Sequence, residues 1–136
     1  MSFLFGAEHV RRYQETDGEE GFRWRRDTTI LLLTTTGRKS GEKRTTPLIF
    51  REIDGNPVIV ASKGGAPEHP DWFANIESDP HVEAQIKGDR FSATARTATP
   101  DERPKLWEAM AEVWPDYNGY QEKTDREIPV VILERD

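Results

Sequence analysis

The sequence contains no cysteine, and this absence removes several kinds of chemistry at once. Disulfide bridges, thiolate nucleophiles and zinc ribbons all require cysteine, so each of them is excluded. A chain without disulfides is compatible with a reducing compartment. We therefore expect a cytoplasmic protein.

Long apolar stretches are also missing. The apolar runs, such as residues 30–33, are far shorter than the roughly 20 residues that cross a bilayer. The opening stretch MSFLFGAEHV has no cationic segment ahead of its short apolar run, which argues against an export signal. The sequence thus predicts neither export nor membrane crossing.

The common catalytic and metal-binding motifs are absent as well. The chain has three histidines, which are widely separated: His9, His69 and His81. There is no HExxH helix and no GxSxG elbow, and the carboxylates at 19–20 and 122–125 lie in polar stretches typical of a solvated surface. The sequence predicts no metal site, and an enzyme with this composition would take its reactivity from a bound cofactor.

Length and charge narrow the class of protein further. The 136 residues fit one domain covering 1–136, with an N-terminal helix and linker over about the first 27 residues. The 25 acidic against 19 basic side chains give a formal net charge of −6. This balance disfavours nucleic acid as a partner, because such binding is driven by an excess of basic charge.

Six segments have the β-branched or alternating composition of strands. They cover residues 28–36, 43–53, 57–62, 81–87, 90–98 and 128–135. Turn residues at 54–57 and 88–89 separate neighbouring segments and predict hairpins. The expected fold is mainly β within the α+β class: a small barrel of six mostly antiparallel strands with flanking helices and a pocket at its rim.

The remaining segments divide into helices and loops. Helices are expected over residues 3–16, from Pro70 to about Ser78, and from the capping box of Thr99 and Glu102 onward. Residues 17–27 form a polar linker of unassigned conformation whose Phe22 and Trp24 either anchor it or belong to a pocket lid. The stretch WPDYNGYQEKTDR is interpreted as a loop.

A basic turn stands out in this acidic chain. The stretch TTTGRKSGEKRTT carries four cations around Gly37 and Gly41: Arg38, Lys39, Lys43 and Arg44. Glycines permit positive φ and bring backbone N–H groups near an anion, and arginine can hold a phosphate or carboxylate with two hydrogen bonds. Taken alone, the turn fits a solvated hairpin tip equally well.

A second flexible, cationic stretch changes this balance. Ser62, Lys63, Gly64 and Gly65 directly follow the third predicted strand, where a rim loop would face a ligand. Two such loops favour an anionic ligand over a merely solvated surface.

Aromatic side chains form a third feature. Trp114, Tyr117 and Tyr120 recur every three residues and offer flat surfaces together with N–H and O–H donors, which suits a planar substrate. Trp114, at the end of a predicted helix, fits core packing equally well. The two tyrosines are therefore the stronger candidates for contact with a ligand.

Four segments together carry a family resemblance: ILLLTTTGRKSGEKRTTPLIF, VIVASKGGAPEHPDWFANI, VEAQIK with its following strand, and WPDYNGYQEKTDREIPVVILER. In these segments the chain resembles the deazaflavin-dependent nitroreductase family, split-barrel oxidoreductases that use coenzyme F420 without flavin mononucleotide. The resemblance covers nearly the whole sequence and implies a split β-barrel.

The resemblance also implies a coenzyme and its contacts. F420 carries an 8-hydroxy-5-deazaflavin ring joined through a phosphodiester to lactate and an oligoglutamate tail. By resemblance, the tail is held by Arg38, Lys39, Arg44 and Lys63. The ring is lined by Pro47 and by the backbone of Val60, Ala61 and Ser62, and support comes from Asp71, Trp72 and Asn75.

The implied reaction is hydride transfer from the reduced deazaflavin to a quinone, an enone or an activated nitro compound. Trp114, Tyr117 and Tyr120 match the aromatic positions over the substrate, and Ser62 lies close to the reacting carbon in the family pattern. Tyr117 or Tyr120 is the expected donor to the developing negative charge on the substrate.

Two alternatives stay open at this point. One is a carrier that sequesters F420 without catalysis, and the other is a split-barrel oxidoreductase that binds flavin mononucleotide. The sequence is compatible with a monomer or a homodimer. Membrane contact through the helix at 3–16 is compatible with a lipid quinone substrate but not required, since its mixed charges favour packing against the protein.

Overall fold

The computed structural model describes residues 4–136, which form a closed six-stranded antiparallel barrel. The strands are β1 Thr29–Thr36, β2 Lys43–Ile53, β3 Asn56–Val60, β4 His81–Ile86, β5 Asp89–Thr97 and β6 Val130–Arg135. Their order around the barrel is β1-β2-β3-β6-β5-β4, and pairing of β1 with β4 closes the ring. The predicted mainly β architecture with flanking helices is confirmed.

Within residues 4–136, four α-helices surround the barrel: α1 Gly6–Thr16, α2 Asp71–Ser78, α3 Arg103–Val113 and α4 Asp116–Glu122. Short helical turns occur at Arg25–Asp27 and Lys63–Gly65. Among the described residues, no helix has both the length and the apolar character needed to cross a membrane.

Strand β1 shows how the sequence pattern builds two packing layers. Leu31 and Leu33 point into the barrel core, whereas Ile30 and Leu32 pack on the outside beneath α1. There the fully buried Tyr13 donates its hydroxyl to the Ile30 carbonyl at 2.9 Å. Alternating side chains on a strand thus serve the barrel on one face and the helix on the other, which fixes α1 against β1.

Helix α4 corrects the predicted loop over WPDYNGYQEKTDR. Asn118 and Gly119 have low helix propensity, and they favoured the loop interpretation. In the structure Pro115 precedes the first helical residue, and Tyr117 is buried in the cluster that includes Met110 and Trp114. Burial of the tyrosine therefore outweighs the unfavourable local propensity.

Several boundaries also differ from the prediction. The capping pair forms, with the Thr99 N–H donating to Glu102 Oε1 at 2.9 Å, but the regular helix begins only at Arg103. Strand β3 ends at Val60, two residues before the predicted end. The first predicted helix began at residue 3, which lies outside the described residues, and α1 begins at Gly6.

Candidate functional site

Two adjoining clefts lie along β2. The first, of about 420 Å³, is largely apolar and is called the apolar cleft. Its lining includes residues 46–49 of β2, residues 62–64 after β3, Trp72 of α2, and Trp114, Tyr117 and Tyr120 at the α3–α4 corner. Its shape and composition suit a planar, weakly polar ligand.

The second cleft, of about 730 Å³, is called the basic cleft. It is lined by Arg38, Lys39, Lys43, Arg44, Asp71 and Asn75, together with Thr46 and Trp72, which line the apolar cleft as well. The two clefts therefore adjoin, and a long ligand can lie across both. Four cations against one carboxylate favour an anion at this end.

Arg38 makes the most polar contacts of the four cations in the basic cleft. The buried Asn75 accepts hydrogen bonds at Oδ1 from the Arg38 backbone N–H at 3.2 Å and from Nη1 at 2.9 Å. Asn75 Nδ2 in turn donates to Thr35 Oγ1 at 3.2 Å, and Asp71 lies 3.6 Å from Arg38 Nη2. Asn75 and Asp71 thus hold Arg38 in place, so a ligand would meet the guanidinium rather than the amide.

The other three cations are less constrained. Lys43 Nζ donates to Thr36 Oγ1 at 3.2 Å, and the exposed Arg44 lies 3.3 Å from Glu42. Within residues 4–136, the Lys39 side chain has no hydrogen bond or ion pair. Exposed pairs of this kind are weak, so these side chains can turn to an anionic ligand at little cost.

The backbone of the basic turn differs from expectation. Only Gly41 adopts a positive φ, of 74°, whereas Gly37 does not. The Gly37 N–H bonds the Glu42 carbonyl at 2.7 Å, and the Gly41 N–H bonds the Gly37 carbonyl at 2.8 Å. Because these two donors are used within the turn, the glycine N–H groups are not available to an anion.

The loop after β3 is tightly folded and packs against α4. Lys63, Gly64 and Gly65 all have positive φ, and Lys63 Nζ lies 3.1 Å from Glu68 Oε1. A Cβ added at Gly65 would lie 2.6 Å from the Tyr120 carbonyl oxygen. Only glycine permits this close approach, which brings Ser62 and Lys63 to the same cleft as Tyr120.

Arg126 fixes this loop from the far end of the chain, and sequence reasoning missed it. Its guanidinium donates to three backbone carbonyls, those of Ala61, Ser62 and Ala66, and lies 3.0 Å from His69 Nδ1. Burial lowers the pKa of the Arg126 guanidinium. In the sequence, Arg126 is one cation in a polar stretch, and no local pattern marks its distant partners.

The predicted ring-lining residues do not all reach the cleft. Pro47, Val60 and Ser62 line it. Ala61 is fully buried behind it, with its N–H bonded to the Pro129 carbonyl at 2.9 Å.

The three predicted aromatic residues come together at the opposite wall. Trp114 Nε1 donates to the Tyr120 hydroxyl at 3.3 Å, and the rings of Tyr117 and Tyr120 lie 6.2 Å apart. Tyr117 is only 5% exposed, and its hydroxyl has no hydrogen-bond partner within residues 4–136. No fully buried side-chain oxygen among the described residues lacks a partner, so this hydroxyl has some exposed surface, and Tyr117 lines the apolar cleft. Burial raises the pKa of Tyr117, which keeps the phenol protonated.

A further wall comes from the N-terminal segment. Phe5, His9 and Trp24 line the apolar cleft, and Trp24 packs on Trp114 with 5.7 Å between ring centroids. His9 is buried, with its Nε2 2.8 Å from the Gly21 carbonyl oxygen. The sequence suggested a pocket role for Trp24 as one of two options, whereas nothing in the pattern singled out Phe5 or His9 for the cleft.

Comparison with known proteins decides the family. Residues 6–135 match the family model described as F420H(2)-dependent quinone reductase. The chain belongs to this family. It is 38% identical over 130 residues to the F420H(2)-dependent quinone reductase Rv1261c of Mycobacterium tuberculosis, with 93% of this chain and 87% of that protein covered.

Solved structures agree with this membership. A structure titled as an F420-H2 dependent reductase, FDR-A, is 46% identical, with a TM-score of 0.71 and coverage of 77% of this chain and 93% of that one. A structure described as a domain-swapped dimer is 43% identical, with a TM-score of 0.75 and coverage of 93% and 95%. The predicted F420-dependent oxidoreductase class is confirmed, although the matched description names quinone reductases rather than nitroreductases.

Proposed function

We propose that this protein reduces quinones with the reduced form of coenzyme F420, and that enones and activated nitro compounds are further acceptors. The observation that carries the proposal is the pair of adjoining clefts: a cationic one continuous with an apolar one, in a member of an F420H(2)-dependent family. This division matches a coenzyme with a flat ring at one end and a polyanionic tail at the other.

The residues present fit F420. Arg38, Lys39 and Arg44 would hold the phosphodiester and glutamates by charge-assisted hydrogen bonds, with Lys43 beside them and Lys63 near the ring end. Asn75 and Asp71 would act on the coenzyme through Arg38, which they hold.

The ring end of the coenzyme fits the apolar cleft. Pro47 and Val60 offer apolar surface, Ser62 brings a hydroxyl, and the buried Trp72 lies where the two clefts join. We assign Trp72 to the junction between ring and tail, because it is the indole that borders both clefts.

When bound, reduced F420 supplies a hydride from its deazaflavin ring. The protein's own contribution is positioning, since holding donor and acceptor in contact can lower a barrier by several kcal/mol. Tyr117 and Tyr120 line the cleft where an acceptor carbonyl would lie, and a positioned hydroxyl stabilises the negative charge that develops on the carbonyl oxygen.

The hydrogen bonds of the two tyrosines suit this role. Tyr120 oxygen accepts from Trp114 Nε1, which leaves the phenolic proton free to be donated to an acceptor. Tyr117 stays protonated because burial raises its pKa, so it too can act as a neutral donor. Either phenol can then pass its proton to the reduced oxygen and regain one from solvent.

We further propose that residues 1–136 form one domain and that two copies pair. The domain-swapped dimer at 43% identity supports pairing, though it does not say which segment of this chain would be exchanged.

A turnover experiment tests the proposal. The protein is mixed without oxygen with reduced F420 and menadione, and the return of oxidised deazaflavin absorbance is followed in time. We expect the protein to accelerate the oxidation of reduced F420, with a rate that saturates as the concentration of either F420 or menadione rises. Tight binding of F420 with no acceleration for any quinone, enone or nitro acceptor would instead identify a carrier, and a yellow purified protein with a flavin spectrum would identify a flavin mononucleotide enzyme.

A further inference from the structure

Arg26 links the segment before β1 to the corner between α3 and α4. Its guanidinium carbon lies 4.4 Å from the centroid of the Trp114 ring, and Nη1 donates to Asp116 Oδ1 at 3.2 Å. The two residues are separated from Arg26 by about 90 positions in the chain. One surface arginine thus lies over an indole ring and forms an ion pair on the same short turn.

That turn presents the candidate donors to the cleft. Asp116 is the first residue of α4 and directly precedes Tyr117. Trp114 donates from its indole nitrogen to the Tyr120 hydroxyl at 3.3 Å. Arg26 therefore contacts one neighbour of each tyrosine, without lining the apolar cleft itself.

The backbone around Arg26 adopts an unfavourable conformation. Arg26 and Asp27 have φ values of 56° and 58°, in the left-handed region that non-glycine residues rarely occupy. Two neighbouring residues in this region persist only where surrounding contacts hold them. The contacts that hold it include those of Arg26, the packing of Trp24 on Trp114 at 5.7 Å, and the hydrogen bond from the Trp24 N–H to the Thr28 carbonyl at 2.9 Å.

We propose that Arg26 is a positioning residue for the reduction step. By stacking on Trp114 and pairing with Asp116, it fixes the indole N–H that binds the Tyr120 oxygen. That hydrogen bond directs the phenolic proton of Tyr120 away from the indole and toward an acceptor in the cleft. This inference rests on the proposed reductase function, because the orientation of Tyr120 matters only if Tyr120 donates to a substrate.

A matched control exists on the far side of the barrel. The Arg135 guanidinium carbon lies 3.8 Å from the Phe91 ring centroid, and Arg135 pairs with Asp89 at 2.6 Å. Arg135 has the same two kinds of contact as Arg26 but lines neither cleft. Arg135→Ala therefore reports how much the loss of a ring contact and an ion pair lowers stability and turnover when neither lies near a cleft.

The experiment compares Arg26→Ala, Arg26→Lys and Arg135→Ala with the wild type. We expect Arg26→Ala to lower kcat with menadione by roughly fivefold, the size of a partly exposed stacking contact plus an ion pair. Binding of F420 should stay within about twofold, because Arg26 lies outside the basic cleft. Arg26→Lys keeps the charge but not the flat guanidinium, so its kcat should lie between the values of the wild type and of Arg26→Ala. Arg135→Ala should turn over like the wild type.

A second readout needs neither coenzyme nor substrate. Trp24 and Trp114 are close enough for their indoles to couple, so the near-ultraviolet circular dichroism of the free protein reports their arrangement. Arg26→Ala should change this signal, and Arg135→Ala should not. Partial recovery of kcat and signal in the charge-exchanged pair Arg26→Asp with Asp116→Arg would support the ionic contribution.

The outcomes separate the two proposals. A wild-type protein that reduces no acceptor overturns the proposed function, while the dichroism still tests whether Arg26 arranges the indoles. If the wild type is active but Arg26→Ala matches it in kcat and dichroism, the positioning role is wrong. Equal losses of kcat in Arg26→Ala and Arg135→Ala would also overturn it, since the effect would then be general destabilisation.

Discussion

The carboxamide oxygen of Asn75 accepts hydrogen bonds from both the backbone N–H and the guanidinium of Arg38, at 3.2 and 2.9 Å. This pair joins α2 to the turn between β1 and β2. One buried amide thereby sets the direction of the cation that faces the basic cleft.

Replacing the Asn75 amide should weaken F420 binding, although Asn75 is not proposed to contact the coenzyme directly. In Asn75→Ala the guanidinium loses its acceptor, so we expect roughly tenfold weaker F420 binding and about 1–3 kcal/mol lower unfolding free energy. Fluorescence titration and urea unfolding measure the two effects. Asn56→Ala, remote from both clefts, is the control. Unchanged F420 affinity in Asn75→Ala would show that Arg38 does not need this amide.

The two cleft tyrosines should act on turnover rather than on coenzyme binding. We expect Tyr117→Phe and Tyr120→Phe each to lower kcat about tenfold to hundredfold while F420 affinity stays nearly constant, because a lost donor matters most where charge develops. Since burial raises the pKa of Tyr117, kcat should show no loss from its ionisation below a pH of about 10.

Tyr13 provides the contrast for these two variants. Its hydroxyl is buried under α1 and accepts from the Lys87 N–H at 2.7 Å, and Tyr13 lines neither cleft. Tyr13→Phe should lower the unfolding free energy but leave kcat unchanged. Wild-type kcat in both cleft variants would mean that neither phenol donates to the substrate.

Gly65 should tolerate no side chain. It has a φ of 85°, and a Cβ there would meet the Tyr120 carbonyl at 2.6 Å, whereas Gly64 has a φ of 63° with open space around it. We expect Gly64→Ala to cost about 1 kcal/mol of unfolding free energy, from its left-handed backbone alone, and Gly65→Ala about 3 kcal/mol. Equal costs in thermal or urea unfolding would mean that the loop does not pack on α4 as described.

Acid should destabilise the protein partly through Glu102. Hydrogen bonds from Arg96, at 2.7 and 2.9 Å, and from the Thr99 N–H lower the pKa of Glu102 from 4.5 to about 2. A carboxylate with a lowered folded-state pKa adds stability above its unfolded value, and this stability is lost as the pH falls. The loss should therefore occur between about pH 4.5 and 2.

The variant Glu102→Gln isolates this effect. It should be less stable than the wild type at neutral pH, and the difference should shrink as the pH falls through that window. Urea unfolding at a series of pH values measures it, with the exposed Glu108→Gln on α3 as control. A difference that does not depend on pH would contradict the assignment.

The strands were predictable because their pattern is local. Thr29–Thr36 alternates between two buried layers and is rich in β-branched residues, so its type and its hairpin with Lys43–Ile53 follow from the sequence. The basic turn and the cleft tyrosines were found for the same reason, since their residue types cluster within a few positions.

The features that the sequence did not predict depend on contacts between segments that are far apart in the chain. Arg126 holds carbonyls 60 to 65 residues away, and Arg26 pairs with a residue 90 positions away. Nothing in the local sequence distinguishes these two arginines from solvated ones. Helix α4 was missed because the burial of Tyr117 in a tertiary cluster overrides the turn signal of Asn118 and Gly119.

One titration tests most directly whether the two clefts hold the two ends of F420. Binding of F420 is compared with binding of the same deazaflavin without its phosphate and glutamate tail, in the wild type, in Lys39→Ala with Lys43→Ala, and in the remote Lys105→Ala. We predict that the double variant binds F420 at least tenfold more weakly, and more so at low salt, but binds the tail-less ring as the wild type does. If the double variant weakens the binding of both ligands equally, or weakens the binding of neither, the account is contradicted.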